Sequence, residues 1–228
     1  MVAKVVATTL VALMDAAFWH ARWQHNELGF QLEQPHPLLC QCLPPLLQGQ
    51  QQVLVPLCGK SPDMVYLAQY LTVIGAELSA IACDAFFSEQ QLDYQRFQQA
   101  GFVHYYSDPI QIWQGDFFQL RPEQLQGCKL VYDRAALIAL PIQMRQRYVA
   151  KLKALLPAGT QILLLSVEYP LHEKAGPPFS VDYAEVARLF AGDNIELVAE
   201  LDQTGKGFAR RRFATGYLLE RAYRITLC

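Results

Sequence analysis

The stretch Val53-Leu54-Val55-Pro56-Leu57-Cys58-Gly59-Lys60-Ser61, followed by Glu77, constrains this chain more than any other segment. An apolar, β-branched run stops at a tight turn that contains one glycine. A helical pattern starts at once, with Ser61 placed to cap it and Pro62 suited to the first helical position. A second apolar run, 71–76, ends in the carboxylate of Glu77. Strand, turn, helix, strand and acid in that order predict an open α/β sheet that binds a nucleoside. An acid at the end of the second strand accepts hydrogen bonds from ribose hydroxyls.

Two phosphate-binding readings of the turn fail on spacing. Gly59-Lys60-Ser61 looks like the end of a P-loop, but that loop needs a glycine where Leu54 stands inside the strand. A single glycine offers too little bare backbone N–H to wrap a triphosphate. The G-x-G-x-x-G pattern fails as well, because Gly59 stands alone. A nucleoside without a pyrophosphate fits better, and S-adenosylmethionine is the common one.

With 228 residues, 52% of them hydrophobic and 18% charged, the chain reads as one domain over 1–228 with a sizeable core. A formal net charge of -2 gives no electrostatic case for nucleic acid or an anionic membrane. No stretch approaches the roughly 18 apolar residues of a spanning helix. Arg210-Arg211-Arg212 reads as a solvated patch. The cysteines Cys40, Cys42, Cys58, Cys83, Cys128 and Cys228 form no C-x-x-C pair. They read as reduced thiols of a cytoplasmic protein and not as a zinc site. Cys58 reads as a small buried turn residue, not a nucleophile. His20, His25 and His36 are too loosely spaced for a metal and are expected at the surface or the core edge; no metal is expected. Residues 1–14 read as an N-terminal extension and not a signal peptide, with Met14 an alternative start. Without a sustained heptad or long apolar stripe, a monomer is expected.

Periodicity predicts helices over 15–26, 37–47, 63–70, 88–100, 142–156 and 182–190. Strands are expected over 53–57, 73–77, 110–113, 129–132, 162–167, 196–201 and 217–226. The last two are joined through Gly205-Lys206-Gly207, which permits a reversal. The implied architecture is a doubly wound, mostly parallel seven-stranded sheet with an antiparallel strand near one edge.

Several motifs in order resemble the thiopurine S-methyltransferase family: Phe18-Trp19-His20-Ala21-Arg22-Trp23 with Gly29-Phe30, Val55-Pro56-Leu57-Cys58-Gly59-Lys60, Gly75-Ala76-Glu77-Leu78-Ser79, Tyr132-Asp133-Arg134-Ala135-Ala136-Leu137, and Gly176-Pro177-Pro178-Phe179. The resemblance covers essentially everything after Met14. It implies a class I, Rossmann-like methyltransferase fold, S-adenosylmethionine as methyl donor with S-adenosylhomocysteine as product, and transfer to the sulfur of aromatic or heterocyclic thiols. Bacterial members suggest selenium or tellurium compounds as further acceptors. Another small-molecule acceptor, or cofactor binding without turnover, is the alternative. Three features depart from the family pattern: Tyr70-Leu71-Thr72 at the entry to the second strand, where the family has a Gly-His pair; Ala135 where some members have glycine; and the leader before Met14.

The resemblance also supplies roles. Glu77 would accept both ribose hydroxyls, and Leu57 and Gly59 would bring the turn against the cofactor. Asp116 and Phe117 would flank the adenine, with Asp116 equally suited to cap a helix. Trp19 and Trp23, one helical turn apart, would cover the sulfonium from a helical lid over 15–48. Phe30 would contact the acceptor or cover the site. Arg134 would bind the methionine carboxylate or hold the acceptor as thiolate, with Arg210 as a second arginine. An Asp133–Arg134 ion pair is the structural alternative for that arginine.

Overall fold

The computed structural model describes residues 16–29, 31–206 and 213–228. Phe30, Arg210 and the 1–14 extension lie outside the described residues. One mixed sheet runs through the molecule in the order β3-β4-β5-β2-β1-β6-β7-β9-β8. Its strands are β1 (Gln52–Pro56), β2 (Thr72–Glu77), β3 (Gln95–Gln99), β4 (Phe102–Ser107), β5 (Ile110–Gln114), β6 (Leu130–Arg134), β7 (Gln161–Glu168), β8 (Asn194–Asp202) and β9 (Leu219–Thr226). The helices are α1 (Ala16–Gln24), α2 (Pro37–Cys42), α3 (Asp63–Leu67), α4 (Ala80–Glu89), α5 (Ile142–Leu155) and α6 (Tyr183–Leu189).

Strands β5, β2, β1, β6 and β7 are parallel, and β9 and β8 continue the sheet antiparallel. The central strands are unbroken apolar runs because both their faces are covered. Leu38, Leu39, Met64, Cys83 and Phe86 pack on one face with Val53, Val55, Val73 and Tyr132. On the other face Tyr148, Val149, Leu152 and Val186 pack with Leu54, Ile74, Val131 and Leu164. Sheet order reverses between β1 and β6, so the crevice at their carboxyl ends is a topological switch point.

The expected seven strands all form, and the sheet has two more, β3 and β4, at its edge. They correct the expected helix over 88–100. The helix there, α4, starts earlier, where Ser79 Oγ accepts the Ala82 N–H at 3.4 Å, and it ends at Glu89. Gln95–Gln99 then pairs antiparallel with Phe102–Ser107. Ala100 and Gly101 both take positive φ, 52° and 85°. That pair of left-handed residues is what a two-residue hairpin turn demands. Gly101, just past the expected helix, belongs to the hairpin turn. Helix α3 is also shorter than expected. Pro62 is its cap position, while Ser61 Oγ accepts the Asp63 N–H at 3.3 Å.

Candidate active site

The turn after β1 carries the local strain of the site. Leu57 has φ 48° and Gly59 φ 55°. Cys58 N–H donates to Ala76 O at 3.0 Å, which binds the turn to β2. Glu77, at the end of β2, is 6% exposed and accepts two backbone donors: Gly59 N–H on Oε2 at 2.8 Å and Ser79 N–H on Oε1 at 2.7 Å. Burial pushes its carboxyl up, and these backbone donors pull it back only in part. Each oxygen keeps a lone pair free of these bonds. Lys60 does not face a phosphate site; its ammonium pairs with Glu89. Cys58 is buried, and burial beside Glu77 holds its thiol well above the usual range, so it is not a thiolate.

At the end of β6 the neighbours Asp133 and Arg134 point to opposite faces. Asp133 Oδ2 accepts from Tyr148 Oη at 2.7 Å and Oδ1 from Leu137 N–H at 3.1 Å. Its bonds therefore go to the α5 side. Burial raises its carboxyl to about 6 against the pull of these donors. Arg134 forms part of the cavity wall. Ala135 follows with φ 66°. After β5, Asp116 Oδ1 accepts the Phe118 N–H at 2.9 Å and caps a short 3-10 helix, Phe117–Gln119. Its structural alternative is thus realised, and its second oxygen has no hydrogen bond among the described residues.

One cavity of about 300 Å3 brings together Trp19, Trp23, Leu57, Gly59, Glu77, Asp116, Phe117 and Arg134. All the sequence-selected cofactor residues line it; Phe30 and Arg210 are outside the described residues. Its volume is at the lower end of small-molecule sites, about 300–1,000 Å3. Helix α1 rests near α4 and presents Trp23, buried, and Trp19, half-buried, to the cavity. Among the histidines, His20 and His25 are exposed while His36 is buried.

Sequence reasoning passed over Gln31, Met144 and Arg147. Gln31 Nε2 donates to Lys60 O at 2.6 Å and ties the segment after α1 to the turn. Met144 and Arg147 reach the cavity from α5, with the Arg147 guanidinium 5.1 Å from the Phe118 ring centroid. Their helical spacing was visible, but not which face of α5 meets the strand ends.

Glu77, the Leu57–Gly59 turn and Asp116 gather at the carboxyl ends of parallel strands, in a class I methyltransferase fold. Solved structures share it. A SAM-dependent methyltransferase from Anabaena variabilis superimposes with a TM-score of 0.64 at 15% identity, covering 93% of this chain and 95% of that one. The 1,6-didemethyltoxoflavin-N1-methyltransferase of Burkholderia thailandensis gives 0.58 at 13% identity, covering 96% and 90%. The sequence profile described as Thiopurine S-methyltransferase (TPMT) matches residues 14–227, and this chain belongs to the thiopurine S-methyltransferase family. The thiopurine S-methyltransferase of Pseudomonas paraeruginosa is 46% identical over 213 residues, 92% of this chain and 98% of the relative. That of Pseudomonas entomophila is 45% identical over 215 residues, 93% and 100%. No described helix is long and apolar enough to cross a membrane.

Proposed function

We propose that this chain transfers a methyl group from S-adenosylmethionine to the sulfur of a small aromatic or heterocyclic thiol. Family membership and the joint placement of Glu77, the Leu57–Gly59 turn and Arg134 on one cavity support this reading. When bound, S-adenosylmethionine supplies a methyl group on a positively charged sulfonium, whose leaving group is a neutral thioether. No general acid is required of the protein.

The protein's tasks are to bind, align and exclude water. The lone pairs of Glu77 that Ser79 and Gly59 leave open accept the ribose hydroxyls. The remaining oxygen of Asp116 takes the exocyclic amine, and Phe117 covers the base. Trp19 and Trp23 close the site from α1 and set aromatic faces toward the cation. Arg134 holds the acceptor as thiolate, since a fixed positive charge lowers a thiol pKa. The chain would hold the donor through Glu77, Asp116 and Phe117 and the thiolate through Arg134, so that the methyl group the donor supplies faces the acceptor sulfur. Positioning of this kind contributes up to about 7–11 kcal/mol in favourable systems. Segment 15–48 acts as the lid, and the partner is a small molecule.

The deciding assay supplies methyl-labelled donor to the purified chain with a heterocyclic thiol, a phenol, an amine, selenite or tellurite. The expected product is the S-methyl thioether, and Arg134→Ala lowers turnover far more than stability. Donor binding without transfer to any thiol would overturn the reading.

A further inference from the structure

His36 stands outside the cavity, yet each of its polar groups is engaged. Its backbone N–H donates to Asp63 Oδ1 at 2.7 Å. Its Nδ1 accepts the Leu38 N–H at 3.2 Å and so caps α2. That donor assigns the tautomer: Nε2 carries the proton and donates to Glu220 Oε1 at 2.9 Å. The network continues on both sides. Tyr132 Oη donates to Asp63 Oδ2 at 2.9 Å, and Gln203 Nε2 to Glu220 Oε2 at 3.0 Å. His36, Asp63, Glu220 and Tyr132 are all buried.

Strand register connects this network to Arg134. Tyr132 and Arg134 alternate onto one face of β6. Arg134 aligns with Leu165 of β7, and Leu165 with Ala222 of β9. Glu220 is two residues from Ala222 and shares that face. Two buried carboxylates are costly unless cations and donors answer them. Burial would raise the Glu220 carboxyl, but His36, Gln203 and the charge of Arg134 bring it below the usual range. Arg134 also acts electrostatically on Tyr132. The network therefore presents an ionised carboxylate on the face that carries the cavity's arginine.

We propose that His36 and Glu220 are positioning residues for Arg134, linking the α2 segment to a fixed negative charge that orients the guanidinium toward the acceptor. The proposal rests on the methyl-transfer reading above. Without the His36 bond, Glu220 keeps its bond from Gln203, but the charge facing Arg134 is less firmly fixed, and the guanidinium holds the acceptor thiolate less well.

His36→Asn tests this directly. Asparagine retains the helix cap but is too short to reach Glu220. The measurements are the pH profile of kcat with a neutral aromatic thiol, calorimetric Kd for S-adenosylhomocysteine, and the thermal midpoint. We expect kcat at neutral pH to fall about tenfold and its acidic limb, which reports the bound complex, to move to higher pH. Kd should change less than about twofold, within the range of a residue remote from the ligand. In an Arg134→Met background the same change should add nothing, because the residue acts through Arg134. Gln203→Leu, which frees the other oxygen of Glu220, should shift the limb in the same direction and serves if His36→Asn does not fold. An unmoved limb, a full additive loss in the Arg134→Met background, or weakened Kd alone would overturn the proposal. Failure of the unaltered protein to methylate any thiol would remove the functional reading and this inference together. Activity in the unaltered protein with an unmoved limb in the variants would remove the inference alone.

Discussion

Glu77 Oε2 accepts the Gly59 N–H at 2.8 Å, so the acid ending β2 holds the turn that ends β1. The same carboxylate would serve the ribose. Its orientation is therefore set before any ligand arrives, and the turn and the acid form one unit.

Glu77→Ala removes both functions. Hydrogen bonds to charged groups are worth about 1.5–3 kcal/mol each. Calorimetric Kd for S-adenosylhomocysteine should rise at least tenfold, or about 1.4 kcal/mol. Retained affinity would show that the acid supports the turn and nothing more.

Trp19 differs from Trp23 in being half-buried at the cavity, so it can be changed with less loss of packing. An aromatic face attracts a cation by about 0.5–2 kcal/mol. Only the donor carries the sulfonium charge; the product does not. Trp19→Leu should narrow the affinity ratio of S-adenosylmethionine to S-adenosylhomocysteine by roughly two- to thirtyfold, the equivalent of that energy. Equal weakening of both ligands would assign Trp19 to packing.

Asp133 gives a pH dependence of stability. Its carboxyl titrates near about 6 in the fold and at its ordinary value of 3.8 when unfolded. Between these values the folded state binds more protons than the unfolded one. The contribution of this residue is therefore full below 3.8 and is lost as pH rises through about 6. Asp133→Asn, measured by urea unfolding across that range, should flatten this fall. An unchanged slope would show that Asp133 does not titrate there.

Ala135 holds φ 66°, where a Cβ costs about 1–2 kcal/mol. Replacement by glycine relieves this but gives back about 0.4–1 kcal/mol through the freer unfolded chain. Ala135→Gly should leave stability unchanged or raise it by up to about 1.6 kcal/mol, with activity retained. Ala135→Val should lower both, since a β-branched side chain fits this φ worst. The thermal midpoints of the pair decide the matter. The departure from glycine in this motif then has a backbone explanation and no chemical one.

Which parts of this were legible beforehand follows from the range of the forces. The parallel core was readable, because strands buried on both faces become unbroken apolar runs such as 162–167. Glu77 was readable from the strand–turn–helix–strand pattern, while Asp116 and Arg134 were named with the family resemblance; all three meet in one cavity because parallel strands deliver their carboxyl ends to one edge. The β3–β4 hairpin was not readable. Its exposed strand Gln95–Gln99 has no apolar alternation, and its pairing depends on Val103 and Tyr105 packing against the core.

Local pattern thus carried the chain from Val53 to Glu77 as far as a nucleoside site, since spacing and capping act within a few residues. Tertiary structure decided the rest. It turned Asp133 toward Tyr148 and Arg134 toward the cavity, so the two do not pair as neighbours in sequence suggest. It also joined His36 to Glu220 across 184 residues of chain. A hydrogen bond between two buried groups leaves no periodic trace in sequence, because its geometry comes from how β9 was inserted into the sheet beside β7.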